Sequence, residues 1–422
     1  MPKPYTILLG KTVRYIARLR GGGSALPGLF VERIDPEFVA STLAQLPKGI
    51  VLISGTNGKT TTTKMVVQLL ESQGMKVFTN RTGSNFVRGV AAALLGEVDS
   101  HGKINADIAV LELDEAHAVH FVDQIKPRYS LLLNVMRDQL DRFGEIDATA
   151  RMLEHIAQAT TDSVVLNRED PRVSKISDTI RSATVSYFGL DEQLRAQFPS
   201  DDDMHGTTKS MTTFPDADVL LTSFKDDTAT FTLDQKPVTT TLKLQGIYNI
   251  YNAAAALALV RSIVKQIDEP KLIHALAAIT PAFGRGESLS VNGHPLELVL
   301  VKNPSGFRLG LQSFAPTGYA TMIAINDDYA DGRDMSWLWD VDFDSLQEAG
   351  VSELSGTRAY DMALRMQYDD ITVSHVETNL ATALRHFIAA NPVAPKRIYC
   401  TYTAMMALRR ELAKITDIEV IS

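Results

Sequence analysis

Cysteine is nearly missing from this chain: Cys400 stands alone among 422 residues. A lone thiol forms no internal disulfide and supplies no multi-cysteine zinc ligand set, which excludes a secreted disulfide scaffold and a zinc ribbon. A reducing cytoplasm is the compartment that fits. Long hydrophobic runs are missing too. The longest, Ala253 to Val260, falls well short of the roughly 18 to 20 apolar residues that span a bilayer and reads as buried helix. Positive charge is in deficit, with 42 Lys and Arg against 50 Asp and Glu for a net −8. No nucleic-acid partner is expected, because phosphate neutralisation carries most of that affinity. Neither internal repeats nor low-complexity tracts stand out, so a solenoid drops out as well.

What is present is the mix of a globular protein, 45% hydrophobic and 22% charged, long enough for two or three domains at about 100–200 residues each. Lys3, Lys11, Arg14, Arg18 and Arg20 precede the first acid, Glu32, while the apolar run Tyr5 to Leu9 is too short for the core of a secretion signal. Such a cationic helix has two uses, peripheral contact with anionic membrane headgroups or packing on the protein's own body, and the second is favoured. Gly21-Gly22-Gly23-Ser24 and Pro27-Gly28 punctuate it, which defines an N-terminal segment, 1–48.

From Gly49 onward, short apolar runs alternate with helical stretches: Ile50 to Ser54, Val77 to Thr79, Ile108 to Leu113, Leu131 to Val135 and Val164 to Asn167, with a helix over Thr60 to Gln73. That alternation predicts an α/β fold with a parallel sheet covered on both faces. The stretch Leu190 to Val238 breaks the rhythm with an acid-rich tract and alternating Thr-rich strands, and reads as an insertion, about 190–240, or a β-excursion. A helix resumes over Ala253 to Lys265. After Phe283-Gly284-Arg285-Gly286, a second α/β series follows at Leu296 to Val301, Thr321 to Asn326, Ile371 to Val373 and Arg397 to Thr401.

The strongest chemical signal is Gly55-Thr56-Asn57-Gly58-Lys59-Thr60-Thr61, set between a predicted strand and a predicted helix. Such a loop wraps phosphates in backbone N–H groups, Lys59 adds charge for the β- and γ-phosphates, and the Thr60 hydroxyl suits Mg²⁺. The generic pattern puts its first Gly where Ile53 stands, so this is a shortened variant. Glu112 closes a predicted parallel strand, where an acid faces the ligand crevice and can serve Mg²⁺. Asp114 and Glu115 just beyond it read as the solvated start of a helix, and His117 and His120 as polar helix residues. Cys400 sits in an apolar strand and reads as a buried structural thiol, which leaves the chain without a glutaminase nucleophile of its own.

That loop resembles the nucleotide loop of the Mur ligases, and further motifs follow in the family's order. Asn134-Val135-Met136-Arg137-Asp138-Gln139-Leu140-Asp141-Arg142 resembles its Asn-x-x-x-Asp-His-x-Asp-Arg segment. Leu166-Asn167-Arg168-Glu169-Asp170-Pro171 resembles its nucleotide-side Asn/Asp motif, Gly246-Ile247-Tyr248-Asn249-Ile250-Tyr251-Asn252-Ala253 its helix start, and Phe283-Gly284-Arg285-Gly286-Glu287 its closing Arg motif. The resemblance implies a Mur ligase-like central P-loop ATPase domain over 49–287 and a smaller C-terminal α/β domain over 288–422. It also implies ATP with Mg²⁺ on Thr60 and Glu112, Arg285 at the γ-phosphate as a catalytic group, and Asn167 and Asn249 lining the adenine pocket.

The departures narrow the subfamily. Gln139 replaces a family His that helps hold a second metal, and no Lys occurs between Arg142 and Ser174, where amino-acid-adding members place a carbamylated one. The nucleotide loop begins about fifty residues in, which leaves no expected room for a large UDP-binding domain. Leu300-Val301-Lys302-Asn303-Pro304-Ser305-Gly306-Phe307 replaces the Asp-Tyr-Ala-His-x-Pro of those members, with Val299 in the Asp position.

These changes, with the acid-rich Asn326 to Asp340 segment, Ser355 to Ala363 and Tyr402 to Met405, resemble the MurT family, the ligase-like subunits of lipid II isoglutaminyl synthase. That resemblance implies ATP-dependent amidation of the D-glutamate α-carboxylate in the lipid II stem peptide, with ammonia delivered by a GatD-like glutaminase subunit. It places the protein in the cytoplasm, with the inner membrane face as an open option. Some family members carry a four-cysteine zinc ribbon; with Cys400 alone, no zinc is expected here. In the loop Asp327 to Asp344, which holds both Trp residues of the chain, the resemblance makes one Asp complete the partner's Cys-His pair. Asp334 and Asp340 are the candidates, against a plain solvated loop. The alternatives are a Mur- or folylpolyglutamate-like ligase that adds an amino acid, and a scaffold that binds ATP without consuming it.

Overall fold

The computed structural model describes residues 4–19, 26–80, 87–136, 146–198, 214–225, 227–244, 246–280, 285–313 and 318–418. Within the chain, Met1–Met136, Glu145–Lys243 and Asn249–Ile279 make one compact unit, and 137–144, 244–248 and 280–422 make a second. Gly21 to Ser24, the acid tract at 199–203, Arg137 to Arg142 including Gln139, and Phe283-Gly284 lie outside the described residues.

The first unit is built on β1 (Ile50–Ser54), β2 (Val77–Thr79), β3 (Ile108–Glu112), β4 (Tyr129–Leu132), β5 (Ser163–Asn167), β6 (Thr184–Leu190), β7 (Val219–Lys225), β8 (Thr228–Leu233) and β9 (Lys236–Thr241). Their order in the sheet is β2-β3-β1-β4-β5-β6-β7-β8-β9. Pairing is parallel from β2 through β7 and antiparallel across β7, β8 and β9. Leu52, Leu111, Leu132 and Leu166 face one hydrophobic cluster, while Val51, Ile53, Val110, Leu131 and Val165, which alternate with them, are just as fully buried. A parallel sheet covered on both faces has that signature. The described strands of Leu190 to Val238 belong to this same sheet: β6 ends at Leu190 and β7 to β9 extend the far edge. Its alternation of apolar and Thr residues is the period of strands with one face buried.

The helix Ile247–Ile263 buries all of Ala253 to Val260, as the apolar run predicted. The cationic helix Pro4–Leu19 packs on its own unit: Ile7 is buried, Lys11 Nζ donates to Val98 O at 2.7 Å, and Thr6 Oγ1 to Asp35 at 3.3 Å. Tyr5, Leu8 and Tyr15 are exposed. Among the described residues, no helix is long and apolar enough to cross a membrane.

The second unit holds β10 (Arg285–Val291), β11 (His294–Leu300), β12 (Ala320–Ala324), β13 (Glu353–Ser355), β14 (Val376–Glu377) and β15 (Lys396–Cys400), in the order β10-β11-β15-β12-β13-β14. Only β10 with β11 is antiparallel. Period two divides its core cleanly: Val299, Ile323 and Tyr399 face one cluster, and Leu298, Met322, Ile398 and Cys400 the other. Cys400 is buried and unbridged, and burial raises its thiol pKa far above the ordinary value, as expected of an inert structural thiol. Two expected strands are corrected. The run read at Leu131 to Val135 is strand over Tyr129–Leu132, because its last residues leave the sheet to meet the Gly55 loop. Ile371 to Val373 is no strand: Val373 makes an isolated bridge to Val351, and the edge strand begins three residues later, at Val376.

Candidate active site

The Gly55 loop joins β1 to the helix Lys59–Ser72. Two glycines let it turn, Gly55 at φ +132° and Gly58 at φ +88°, backbone that side chains rarely adopt. A Cβ on Gly58 would also lie 2.8 Å from Asn252 Oδ1. Asn134, just past β4, holds the loop's shape by a reciprocal pair: Asn57 N donates to its Oδ1 at 2.8 Å, and its Nδ2 donates to Asn57 O at 3.0 Å. The Thr56 hydroxyl accepts from Met136 N at 3.1 Å, and Thr61 is buried in the first helical turn.

Lys59 is almost wholly buried. Its ammonium donates to Gly55 O at 2.6 Å and lies 3.3 Å from Asp114 Oδ1 and 3.5 Å from Glu115 Oε1. Asp114 and Glu115 are thus not a solvated helix start, which corrects that expectation. A buried cation requires compensating carboxylates, and Glu115 is only 3% exposed. Thr60 Oγ1 donates to Glu112 Oε1 at 2.8 Å, so the hydroxyl and the acid assigned to Mg²⁺ meet at the carboxyl end of β3. A hydroxyl and a carboxylate beside a phosphate loop are the hard oxygen donors Mg²⁺ takes, and the residues present fit that ion. Asn80, at the end of β2, fixes Glu112 by donating from Nδ2 to Glu112 O at 2.8 Å and accepting Glu112 N at 3.0 Å. Sequence reading passed over Asn80; its place at a strand's carboxyl end was the available signal.

Asn167 is buried and already engaged: Nδ2 donates to Leu133 O at 2.8 Å, while Oδ1 accepts from Tyr251 OH at 2.6 Å and Glu169 N at 3.0 Å. Both acceptor positions are used inside the protein, so an adenine contact from this residue would come through the amide nitrogen. Asp170 accepts from Val135 N at 2.7 Å, Arg172 N at 2.9 Å and Val173 N at 3.1 Å. Burial pushes its pKa up to about 6, against the lowering effect of those three bonds. Asn249 is half-buried in the helix Ile247–Ile263. Arg285 opens β10, and its side chain lies outside the described residues.

The second unit gathers polar residues beyond the carboxyl ends of β12, β13 and β15. Asn326 N donates to Thr401 Oγ1 at 2.9 Å and Asn326 Nδ2 to Thr403 Oγ1 at 3.0 Å. Asp327 accepts from Thr357 at 2.8 Å and Arg358 at 2.9 Å. Asp331 is buried, takes Thr403 N at 2.8 Å and also accepts the Thr403 hydroxyl; burial raises its pKa. Lys302 and Asn303 follow β11, where Asn303 Oδ1 accepts Gly306 N at 2.6 Å at the start of the next helix.

In the acid loop, Trp337 is buried, packed edge-on against Phe307 at 6.4 Å, whereas Trp339 is 47% exposed and meets Tyr368 at 5.2 Å. The loop is therefore anchored rather than merely solvated. Asp334 and Asp340 are nonetheless exposed. Hydrogen bonds from Ser336 hold the Asp334 carboxyl below its ordinary range, with Ser336 N at 2.9 Å.

Residues 53–260 match the Mur ligase middle domain, and 300–405 match the MurT ligase C-terminal domain. MurF from Acinetobacter baumannii superimposes with a TM-score of 0.70 at 18% identity, over 92% of this chain and 80% of that one, a likeness of fold. Fold and phosphate-loop geometry together define a ligase of the Mur type. A subunit MurT of the glutamine-hydrolysing lipid II isoglutaminyl synthase, from Streptococcus pneumoniae, is 31% identical over 96% of both chains. Its counterpart from Staphylococcus aureus is 29% identical over 87% of this chain and 88% of that one. The chain belongs to the MurT family.

Proposed function

We propose that this protein is the synthetase subunit of a lipid II amidating enzyme, using ATP and ammonia to convert the α-carboxylate of D-glutamate in the stem peptide to D-isoglutamine. The observation that carries the reading is the buried Lys59 ammonium beside the Thr60–Glu112 pair, in a chain of this family. A carboxylate oxygen attacks the γ-phosphorus, the bond to the β-phosphate oxygen breaks, and ADP leaves. Ammonia then adds to the acyl carbon, phosphate departs with its oxygen, and the nitrogen loses a proton. Lys59, the loop N–H groups and Arg285 neutralise charge on the transferring group. Thr60 and Glu112 would hold Mg²⁺, which supplies further charge screening when bound. Asn167 and Asn249 take the adenine side.

On this reading, 49–287 is the ATP-binding domain and 288–422 its partner domain. A GatD-like glutaminase supplies ammonia, with Asp334 or Asp340 orienting its catalytic His. The exposed Tyr5, Leu8 and Tyr15 on the cationic helix suit contact with the membrane face where a lipid-linked substrate lies. Phosphate release and product analysis with purified chain, lipid II, ATP and ammonium test it. Amidated product is expected; its absence under those conditions would overturn the reading.

A further inference from the structure

We propose that Glu353, His375 and His386 bind one divalent d-block cation, zinc by donor type, and so clip the outer edge of the second sheet together. The three residues come from separate elements: Glu353 opens β13, His375 immediately precedes β14, and His386 sits on the helix Leu380–Ala390. The Glu353 carboxylate is fully buried. One of its oxygens meets His375 Nδ1 at 2.7 Å and the other meets His386 Nδ1 at 2.6 Å. The imidazole rings lie against each other, centroids 4.1 Å apart and 37° from parallel. One donor atom from each residue fits within 4.8 Å of the other two.

A buried carboxylate demands a counter-charge. Among the described residues, its ion pairs run to these two histidines alone. Neutral rings donating through Nδ1 would satisfy its two oxygens but bring it no charge. Protonating both would set two cations face to face at 4.1 Å. A single divalent ion accounts for both rings, since it takes neutral imidazoles and an ionised carboxylate as ligands. Two nitrogens and an oxygen are a zinc-class donor set, whereas Mg²⁺ takes oxygens. Tetrahedral bonds of about 2.0–2.1 Å put ligand atoms roughly 3.3 Å apart, so the rings would draw back from the carboxylate while the three ligand atoms, now within 4.8 Å of one another, close around the ion. The side chains of His375 and His386 are 42% and 46% exposed, which gives them room to move and leaves the fourth position to water.

The site lies at the amino end of β13, while Thr357 and Arg358 lie beyond its carboxyl end, so the role is structural. β14 is two residues long and gains a tether to β13 and to the covering helix. The chain's shortage of cysteine does not bear on this site, which uses none.

The test uses the full-length, tag-free chain, stripped with chelator and dialysed, then titrated with zinc chloride by calorimetry and followed by thermal melting. One equivalent should bind with a micromolar or tighter dissociation constant and raise the melting temperature. His375→Gln and His386→Gln, both at half-exposed positions, should melt within a few degrees of the stripped parent. Each should lose more than the roughly 10–100-fold affinity that outer-shell changes cost. A parent that shows no zinc-dependent shift up to millimolar zinc overturns the proposal. So does binding that survives both substitutions, because the ion would then sit elsewhere, such as on Thr60 and Glu112.

Discussion

The two acid-bearing segments of this molecule are built to opposite plans. At the Gly55 loop, carboxylates are internal: Glu115 and Glu112 are 3% and 7% exposed, and Lys59 and Thr60 engage them. In the loop from Asp327 to Asp344 the aromatic residue Trp337 goes inside, and Asp334 and Asp340 are left outside. The first segment pairs its buried Lys59 with Asp114 and Glu115 inside its own fold. The second is a scaffold whose buried Trp fixes where the outward acids stand. On the proposed function, chemistry performed by the chain itself belongs to the first plan, and service to a glutaminase partner to the second.

The largest way to break that contrast is Lys59→Ala. It should abolish amidation from glutamine and from free ammonium alike, a loss of at least roughly 100-fold in each, since on the proposed mechanism the acyl phosphate precedes both routes. Near-normal turnover from either source would contradict the assignment. Next in size is Asp170, whose pKa is raised by burial to about 6. A carboxyl with a raised folded-state pKa stabilises fully below its ordinary unfolded value and loses that contribution as pH climbs through about 6. The stability of the parent relative to Asp170→Asn should therefore decline by up to about 3 kcal/mol between pH 4 and pH 7, read from urea midpoints. A pH-independent difference would mean that Asp170 is not the buried titrating group.

Gly58→Ala should cost about 1–2 kcal/mol for the left-handed backbone and displace Asn252. The expected outcome is a lower melting temperature together with weaker binding of a non-hydrolysable ATP analogue. The smallest effect on nucleotide binding is expected of Asn80→Ala, which removes two bonds to the Glu112 backbone at about 1 kcal/mol each. Thermal melting should fall slightly and turnover several-fold, with nucleotide affinity nearly kept.

Much of the first plan is legible in the sequence, because a phosphate loop is a local device: Gly55, Gly58, Lys59 and Thr60 fall within six consecutive residues, each chosen by backbone or charge. What was not legible depends on long-range pairing. Nothing near Asp114 and Glu115 says that a lysine 55 residues earlier in the chain needs them, so they read as a solvated helix start. Asn80 bonds a residue 32 positions away, and Glu353 meets His386 across 33, separations that carry no motif. The strands of the C-terminal sheet were readable at β11, β12 and β15, which are seven, five and five residues long. They were not at β13 and β14, which are three and two residues long and owe their pairing to neighbours rather than to pattern. The tract from Leu190 to Val238 interrupted the strand–helix rhythm, yet its strands stay on the same sheet, since antiparallel hairpins extend an edge without needing crossover helices.

The contrast between the two segments is tested most directly by one assay on Asp334→Asn and Asp340→Asn, run with the glutaminase partner, lipid II and ATP, once with glutamine and once with ammonium. One of the two variants should lose glutamine-driven amidation, because a misoriented imidazole cannot activate the partner's cysteine, and both should retain ammonium-driven amidation and ATP consumption. If both variants keep glutamine use, or if either loses ammonium use, the division between self-contained and partner-serving acids is wrong.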